Sequence, residues 1–191
     1  GNAILVKDGQ VFETPQTGAD KEPRTAVGIK SNGNVFFITV DGRQEPYSAG
    51  LSMDDLAQLM ISMGAIQALN LDGGGSTTHL SRIPGTDNLE VKNRPSDNSE
   101  RSVANSWMII SKEPITHEFK SAYIEPNERS FTPYSDIQFS AKGMDVSGAS
   151  ASLPKESLEW SISDNSFGKI DSSTGLFSST GKEGQAKVLL R

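Results

Sequence analysis

The stretch AIQALNLDGGGSTTHL, residues 65–80, decides how the chain is read. An apolar run of strand-like composition ends at Asp72, followed by Gly73, Gly74 and Gly75 and then by Ser76, Thr77, Thr78 and His79. Three consecutive glycines surrender backbone entropy and three side-chain positions, so something requires the main chain to be bare. A tight turn is one such requirement. A ligand against the backbone is the other, because successive N–H groups at a strand's end form an anion-binding concavity. No Gly-Lys-Ser/Thr follows, so this is not a Walker loop, and the G-x-G-x-x-G spacing of dinucleotide folds is absent. The neighbours tip the balance towards a site: Asp72 suits acid, base or nucleophilic work, and Ser76, Thr77 and Thr78 supply short hydroxyls. His79, alone on a strand, reads more readily as a structural histidine.

Upstream, RTAVGIKSNGNVFFITV predicts a hairpin, with strands over Ala26–Lys30 and Val35–Val40 around a turn containing Asn32-Gly33. VDGR ends the second strand. Ser52 is placed as an N-cap with Asp55 three residues on, and Leu51 and Leu56 are placed as a hydrophobic staple. Leu56, Leu59, Met60 and Met63 follow helical spacing on one face, and Gly64 stops the helix. AIQALNL then returns as a strand, and STTHLS and SVANSWMII read as two more. The first part, residues 1–112, is therefore an α+β unit with a mixed or antiparallel sheet and a packed helix.

From residue 113 the pattern changes. Short β-rich runs alternate with Pro, Gly, Asn and Ser turns through HEFKSAYIEPNERSFTPYSDIQFSAKGMDVSGA and LEWSISDNSFGKIDSSTGLFSSTGKEGQAKVLL. No helical period appears, and Trp160 is placed as a core aromatic. Residues 113–191 read as a small all-β sandwich, its last strand cut short at the chain's end.

Composition narrows the function. The chain has 191 residues, 35% hydrophobic and 22% charged, which suits a globular protein rich in loops. It carries 18 basic and 24 acidic residues, a net charge of −6, and neither part is basic, so nucleic acid is not an expected partner. No cysteine is present, which removes disulfides and thiolate chemistry. No apolar run approaches the length of a membrane span, and no signal peptide is visible.

Two arginines in the first part stand near the same end of the predicted hairpin, Arg24 opening one strand and Arg43 following the other. Either they clamp a phosphate or carboxylate, or each pairs with a nearby acid such as Glu22 or Asp41. Asp41 is the natural second carboxylate to Asp72, although its place in a turn favours a structural role.

The segments LVKDGQV, PRTAVGI, VDGR, LSMDDLAQLMISMGA, ALNLDGGGSTT, NRPSD and ERSVANSWMII occur in this order over residues 3–111. Together they resemble the phosphodiester glycosidase family. NLDGGGS preceded by PRTAVG is specific; either alone is much weaker. The later WSIS…GKIDSSTGLF resembles a bacterial immunoglobulin-like domain. Family members carry a further section ahead of the LVKDG strand, so this chain is expected to hold the C-terminal portion of the family domain.

The resemblance implies hydrolysis at the anomeric carbon of a sugar phosphodiester, with no cofactor. It implies Asp72 as the catalytic carboxylate and Arg24 and Arg43 as phosphate ligands. Gly73, Gly74, Gly75, Ser76 and Thr77 would shape the pocket, and Asn70, Arg94, Arg101 and Asn105 would line or brace it. The implied partner is a carbohydrate phosphodiester, outside the cell or on its surface. A competing class is a non-catalytic module that binds cell-wall polymer. A metal-dependent phosphodiesterase using Asp41, Asp72 and His79 is the weaker third reading, because no paired-ligand motif occurs.

Overall fold

A computed structural model describes residues 3–12, 20–127, 129–154 and 158–191. They divide into two compact units, residues 1–81 with 89–108 and residues 82–88 with 109–191.

The first unit is built on a five-stranded sheet. Its strands are β1 (Ala3–Lys7), β2 (Gln10–Val11), β3 (Arg24–Lys30), β4 (Val35–Val40) and β5 (Ala65–Asn70), in the order β2-β1-β5-β3-β4. Every pairing in it is antiparallel. The β3–β4 hairpin forms where Asn32-Gly33 predicts it. Gly33 is left-handed at φ 83°, its N–H donates to the Lys30 carbonyl, and the Asn32 side chain accepts from the Asn34 N–H at 3.0 Å.

Helix α1 (Met53–Ser62) joins the hairpin to β5. Ser52 caps its start as predicted, its Oγ accepting from the Asp55 N–H at 3.1 Å, while the Asp55 carboxylate accepts from the Ser52 hydroxyl at 2.8 Å. Gly64, at φ 89°, ends it. The buried face is rotated from the predicted one. Met53, Leu56, Ala57 and Met60 are buried and pack with Leu5, Val6, Ala26, Ala65 and Ala68, whereas Met63 is 47% exposed. The reason is close approach. Gly28 in β3 carries no Cβ, which would meet the Met60 side chain at 2.7 Å, so the helix seats with Met60 and the small Ala57 against the sheet.

Two predicted strands are corrected. In STTHLS only Leu80 and Ser81 belong to a strand, β6 (Leu80–Arg82), which pairs with β7 (Leu89–Val91); Ser76 instead closes a 3₁₀ turn over Gly74–Ser76. SVANSWMII forms no strand at all. Its apolar side chains are exposed, Trp107 at 72% and Ile109 at 79%. β-Propensity becomes a strand only when the backbone finds a ladder partner, and no described strand offers one to this segment. Trp107 rests against Phe37 of β4, with ring centroids 6.0 Å apart.

The second unit is all-β among its described residues, apart from a 3₁₀ turn over Asn165–Phe167. The strands β8 (Ser121–Glu125), β10 (Ser140–Met144) and β11 (Ser150–Ala151) form one small sheet. β9 (Asp136–Gln138), β13 (Gly168–Ile170) and β14 (Leu176–Ser179) form another, and β12 (Trp160–Ile162) pairs with β15 (Val188–Leu190). Trp160 is in the core as predicted, with Ile137, Phe139 and Phe177.

Two aspartates organise its turns. Asp145, buried, accepts from Ser147, Ala149, Thr116 and His117 N–H groups. Burial pushes its carboxyl up, but these bonds and that from the Ser147 hydroxyl outweigh it and hold it well below the usual carboxylate range. Asp171, bonded by Ser173 and Thr174, is pulled down to about 2.

Substitution of Leu56 by Ala should lower the stability of the first unit by about 3 kcal/mol, measured by urea unfolding. For the second unit the sign follows from the depressed carboxyls. Their contribution is complete above the ordinary aspartate value of about 3.9 and fades as pH falls towards the folded values. Asp145→Asn should therefore lower the melting temperature at pH 7 and shrink the difference between pH 7 and pH 3. An undiminished difference would count against this role.

Candidate functional site

The end of β5 and the start of β3 lie side by side, because Asn70 pairs with Ala26 and the Leu71 N–H continues the ladder to the Thr25 carbonyl at 2.8 Å. The chain beyond Leu71 therefore emerges against Pro23 and Arg24. The three glycines answer three different needs there. A Cβ on Gly73 would stand 2.7 Å from the Pro23 carbonyl oxygen, which is backbone and cannot move aside. Gly74 is left-handed at φ 59°, and its N–H donates to that same carbonyl at 2.9 Å. A Cβ on Gly75 would collide with the side chains of Arg101 and Asp97.

The anion-binding concavity expected from successive glycine N–H groups is mostly closed. The Gly73 N–H donates to the Asp72 carboxylate at 3.0 Å, that of Gly74 is taken by Pro23, and those of Ser76 and Thr77 close the 3₁₀ turn onto the Gly73 and Gly74 carbonyls. The glycines thus serve close approach and chain reversal, and the charge in the site comes from side chains.

Those side chains meet in an open cavity of about 310 Å³ lined by residues 22–24, Arg43, residues 70–75 and Arg101. Arg24 and Arg43 come to the same end of the sheet as the register requires, since Arg24 pairs with Val40. Arg24 is held by its own surroundings: Nε donates to the Leu51 carbonyl at 2.8 Å and a terminal nitrogen to the Asp20 carbonyl at 2.7 Å. Burial lowers its pKa from the ordinary value; Glu22 opposes this and Arg43 adds to it. Arg43 is ion-paired to Glu22, and that bond raises its pKa. Its guanidinium lies over Gly74 and that of Arg101 over Gly75. Arg101 is itself bonded to Asp97 at 2.9 and 2.6 Å. Asp72 is exposed at the mouth, whereas Asn70 is buried and donates to the Leu71 carbonyl at 2.8 Å.

Other predicted residues lie off the cavity wall. Thr77 is buried beneath the glycine turn, accepting from the Thr25 hydroxyl at 3.2 Å. Ser76 closes the turn, and Asn105 is exposed in the segment that forms no strand. Arg94 stacks over the Tyr47 ring, 5.4 Å from its centroid. Asp41 has the structural role its turn position suggests. It accepts from the Arg94 N–H, from Asn93 at 3.0 Å and from the Tyr47 hydroxyl at 2.9 Å.

Asn93 was missed as a fastening residue. Its amide donates to both Asp41 and the Thr77 carbonyl, while its oxygen accepts from the His79 N–H at 2.7 Å. This ties the loop bearing Arg101 to the glycine turn. The partners are 16 and 52 residues away, and the only local signal was its place in NRPSD. Asp41, Asp72 and His79 are not gathered, and no cluster of three or more His, Asp or Glu side chains suited to a metal occurs among the described residues.

The family profile described as phosphodiester glycosidase matches residues 1–110, and the chain belongs to that family. It is 40% identical over 109 residues to the SPbeta prophage-derived uncharacterized protein YomE of Bacillus subtilis, covering 55% of this chain and 16% of that protein. It is 27% identical over 134 residues to the bovine N-acetylglucosamine-1-phosphodiester alpha-N-acetylglucosaminidase, covering 62% of this chain and 24% of the enzyme. The zebrafish enzyme's catalytic domain, a solved structure, aligns at 25% identity and a TM-score of 0.39, over 50% of this chain and 34% of that one. The chain thus spans no more than about a quarter of the length of these two sequence relatives.

The glycine assignments separate by substitution. Gly73→Ala should cost about 1–3 kcal/mol, since only backbone can yield. Gly75→Ala, opposed by side-chain ends, should fold more nearly as the parent does while displacing Arg101 and Asp97. Thermal melts with amide-proton NMR shifts at Arg101 would test the contrast, and equal destabilisation would contradict it.

Proposed function

We propose that the chain hydrolyses a glycosyl–phosphate linkage, releasing free sugar and leaving a phosphomonoester. The observation that carries the reading is the convergence of Asp72, Arg24, Arg43 and Arg101 on one cavity at the end of β5. Water attacks the anomeric carbon, the bond from that carbon to the phosphate oxygen breaks, and its electron pair leaves with the phosphate. The leaving group passes from one negative charge to two, and the arginines stabilise the charge that develops. A phosphate leaves readily, so the reaction does not need a second carboxylate as acid in the way an ordinary glycoside does. Asp72, exposed at the mouth, takes the proton from the attacking water, or it attacks the carbon first, displacing the phosphate, and water then cleaves the glycosyl–Asp72 ester to release the sugar. These alternatives give inverted and retained products respectively. Asn70, buried beneath the turn, braces the strand end, and Thr77 supports the glycines from below.

The substrate is a carbohydrate phosphodiester on an exported or cell-surface glycan. In this reading the second unit is an immunoglobulin-like domain that holds the hydrolytic unit near its polymer; its small antiparallel sheets around Trp160 support that assignment. No helix among the described residues is long and apolar enough to cross a membrane.

A second reading, a module that binds cell-wall phosphodiesters without cutting them, is favoured by one observation. Each cavity arginine already has a protein partner. Product analysis on a panel of sugar 1-phosphodiesters separates the two. Hydrolysis predicts free reducing sugar, reduced at least about 10²-fold in Asp72→Asn. Retained binding with no sugar released by either version would favour the binding module.

A further inference from the structure

The cavity contains a second carboxylate, and it is Glu22. Its main chain is clamped. The Glu22 N–H donates to the Leu51 carbonyl at 3.2 Å, and its carbonyl accepts from the Leu51 N–H at 3.1 Å. Gly50 presses on the Glu22 backbone where no Cβ fits, and a Cβ on Gly42 would stand 2.9 Å from the Glu22 carbonyl carbon. The side chain, 28% exposed, is thereby held in the cavity wall and ion-paired to Arg43. Arg43 meets it from a left-handed backbone at φ 57°, uncommon for a non-glycine residue. Glu22 is also the leading charge favouring ionised Arg24.

The local charges balance. Arg24, Arg43 and Arg101 face Glu22, Asp72 and the Asp97 that holds Arg101. A cavity of three guanidinium groups alone would favour the most highly charged phosphate offered. One neutralised by fixed carboxylates does not, because each added ligand charge meets the same repulsion.

Resting on the phosphodiester reading above, we infer that Glu22 is an internal counter-ion standing beside Arg43 where a ligand's phosphate would lie, and that it makes the cavity select monoanionic phosphodiesters over dianionic phosphomonoesters. Hydrolysis turns the first into the second inside the same cavity. The repulsion from Glu22 therefore doubles on bond cleavage, which offsets part of the hold that the arginines gain on the dianion and weakens retention of the product.

The test uses two minimal probes, dimethyl phosphate, a monoanion throughout, and methyl phosphate, a dianion at pH 8 and largely a monoanion at pH 5. Affinities are measured by NMR titration. In the unaltered protein, methyl phosphate should bind more weakly at pH 8 than at pH 5, while dimethyl phosphate stays constant. In Glu22→Gln and Glu22→Ala at pH 8, dimethyl phosphate should bind about fivefold tighter and methyl phosphate about 25-fold tighter, one Coulomb step per ligand charge. Melting temperatures accompany both variants, and the pH comparison in the unaltered protein needs neither of them to fold. Tighter binding of methyl phosphate at pH 8 than at pH 5 by the unaltered protein would overturn the inference. So would equal changes for both probes in the variants, the outcome for a merely structural ion pair. Failure of every version to bind either probe would overturn the phosphodiester reading itself.

Discussion

The hydrogen bond from Gly74 to the Pro23 carbonyl, with bare Gly73 pressed on that same oxygen, is the contact around which the first unit is arranged. It joins the exit of the central strand to the entrance of its neighbour, two points 51 residues apart in the chain. It can form only if β3 and β5 pair in the observed register, since Asn70 must stand opposite Ala26 for the turn to reach Pro23. Once formed, it puts Asp72 in the same cavity as Arg24 and brings Gly74 and Gly75 under Arg43 and Arg101. A side chain at position 73 would push the turn from the sheet and take the carboxylate with it.

Two further sets of contacts hold what this one brings together. Glycines at 42 and 50 allow the loop after β4 to lie directly on residues 22 and 23, which seats Arg43 against Glu22. Asn93 and Asp41 fasten the later loop so that Arg101 reaches the same cavity. The site is thus assembled from four separate stretches of chain by backbone proximity and buried or half-buried hydrogen bonds. Carboxylates pair with Arg43 and Arg101 and carbonyls hold Arg24, which keeps arginines of like charge together in the absence of a ligand.

How much of this was legible in the sequence follows the range of the interactions. The hairpin, the N-cap at Ser52 and the stop at Gly64 are encoded within a few residues by turn and cap chemistry, and they form as read. The helix face departs from its reading at Met63 because packing against Gly28, not spacing alone, selects which residues are buried. The strand expected over 102–110 fails because apolar and β-branched composition does not supply a ladder partner. The meeting of Arg24 and Arg43 at one end of the sheet was legible in the hairpin, and that of Asp72 with them only through the order of the family's segments. Glu22 as the partner of Arg43 stood only as one of two open pairings, because it depends on a loop folding back through Gly50. Asn93 was hidden for a related reason: its bonds join segments that nothing local brings together.

The central proposal is that cleavage falls between the anomeric carbon and oxygen, not between phosphorus and oxygen. Hydrolysis of a sugar 1-phosphodiester in ¹⁸O-labelled water, read by mass spectrometry of both products, tests it most directly. The account predicts the label in the released sugar and none in the phosphomonoester. Label in the phosphate would show cleavage of the P–O bond and contradict the account.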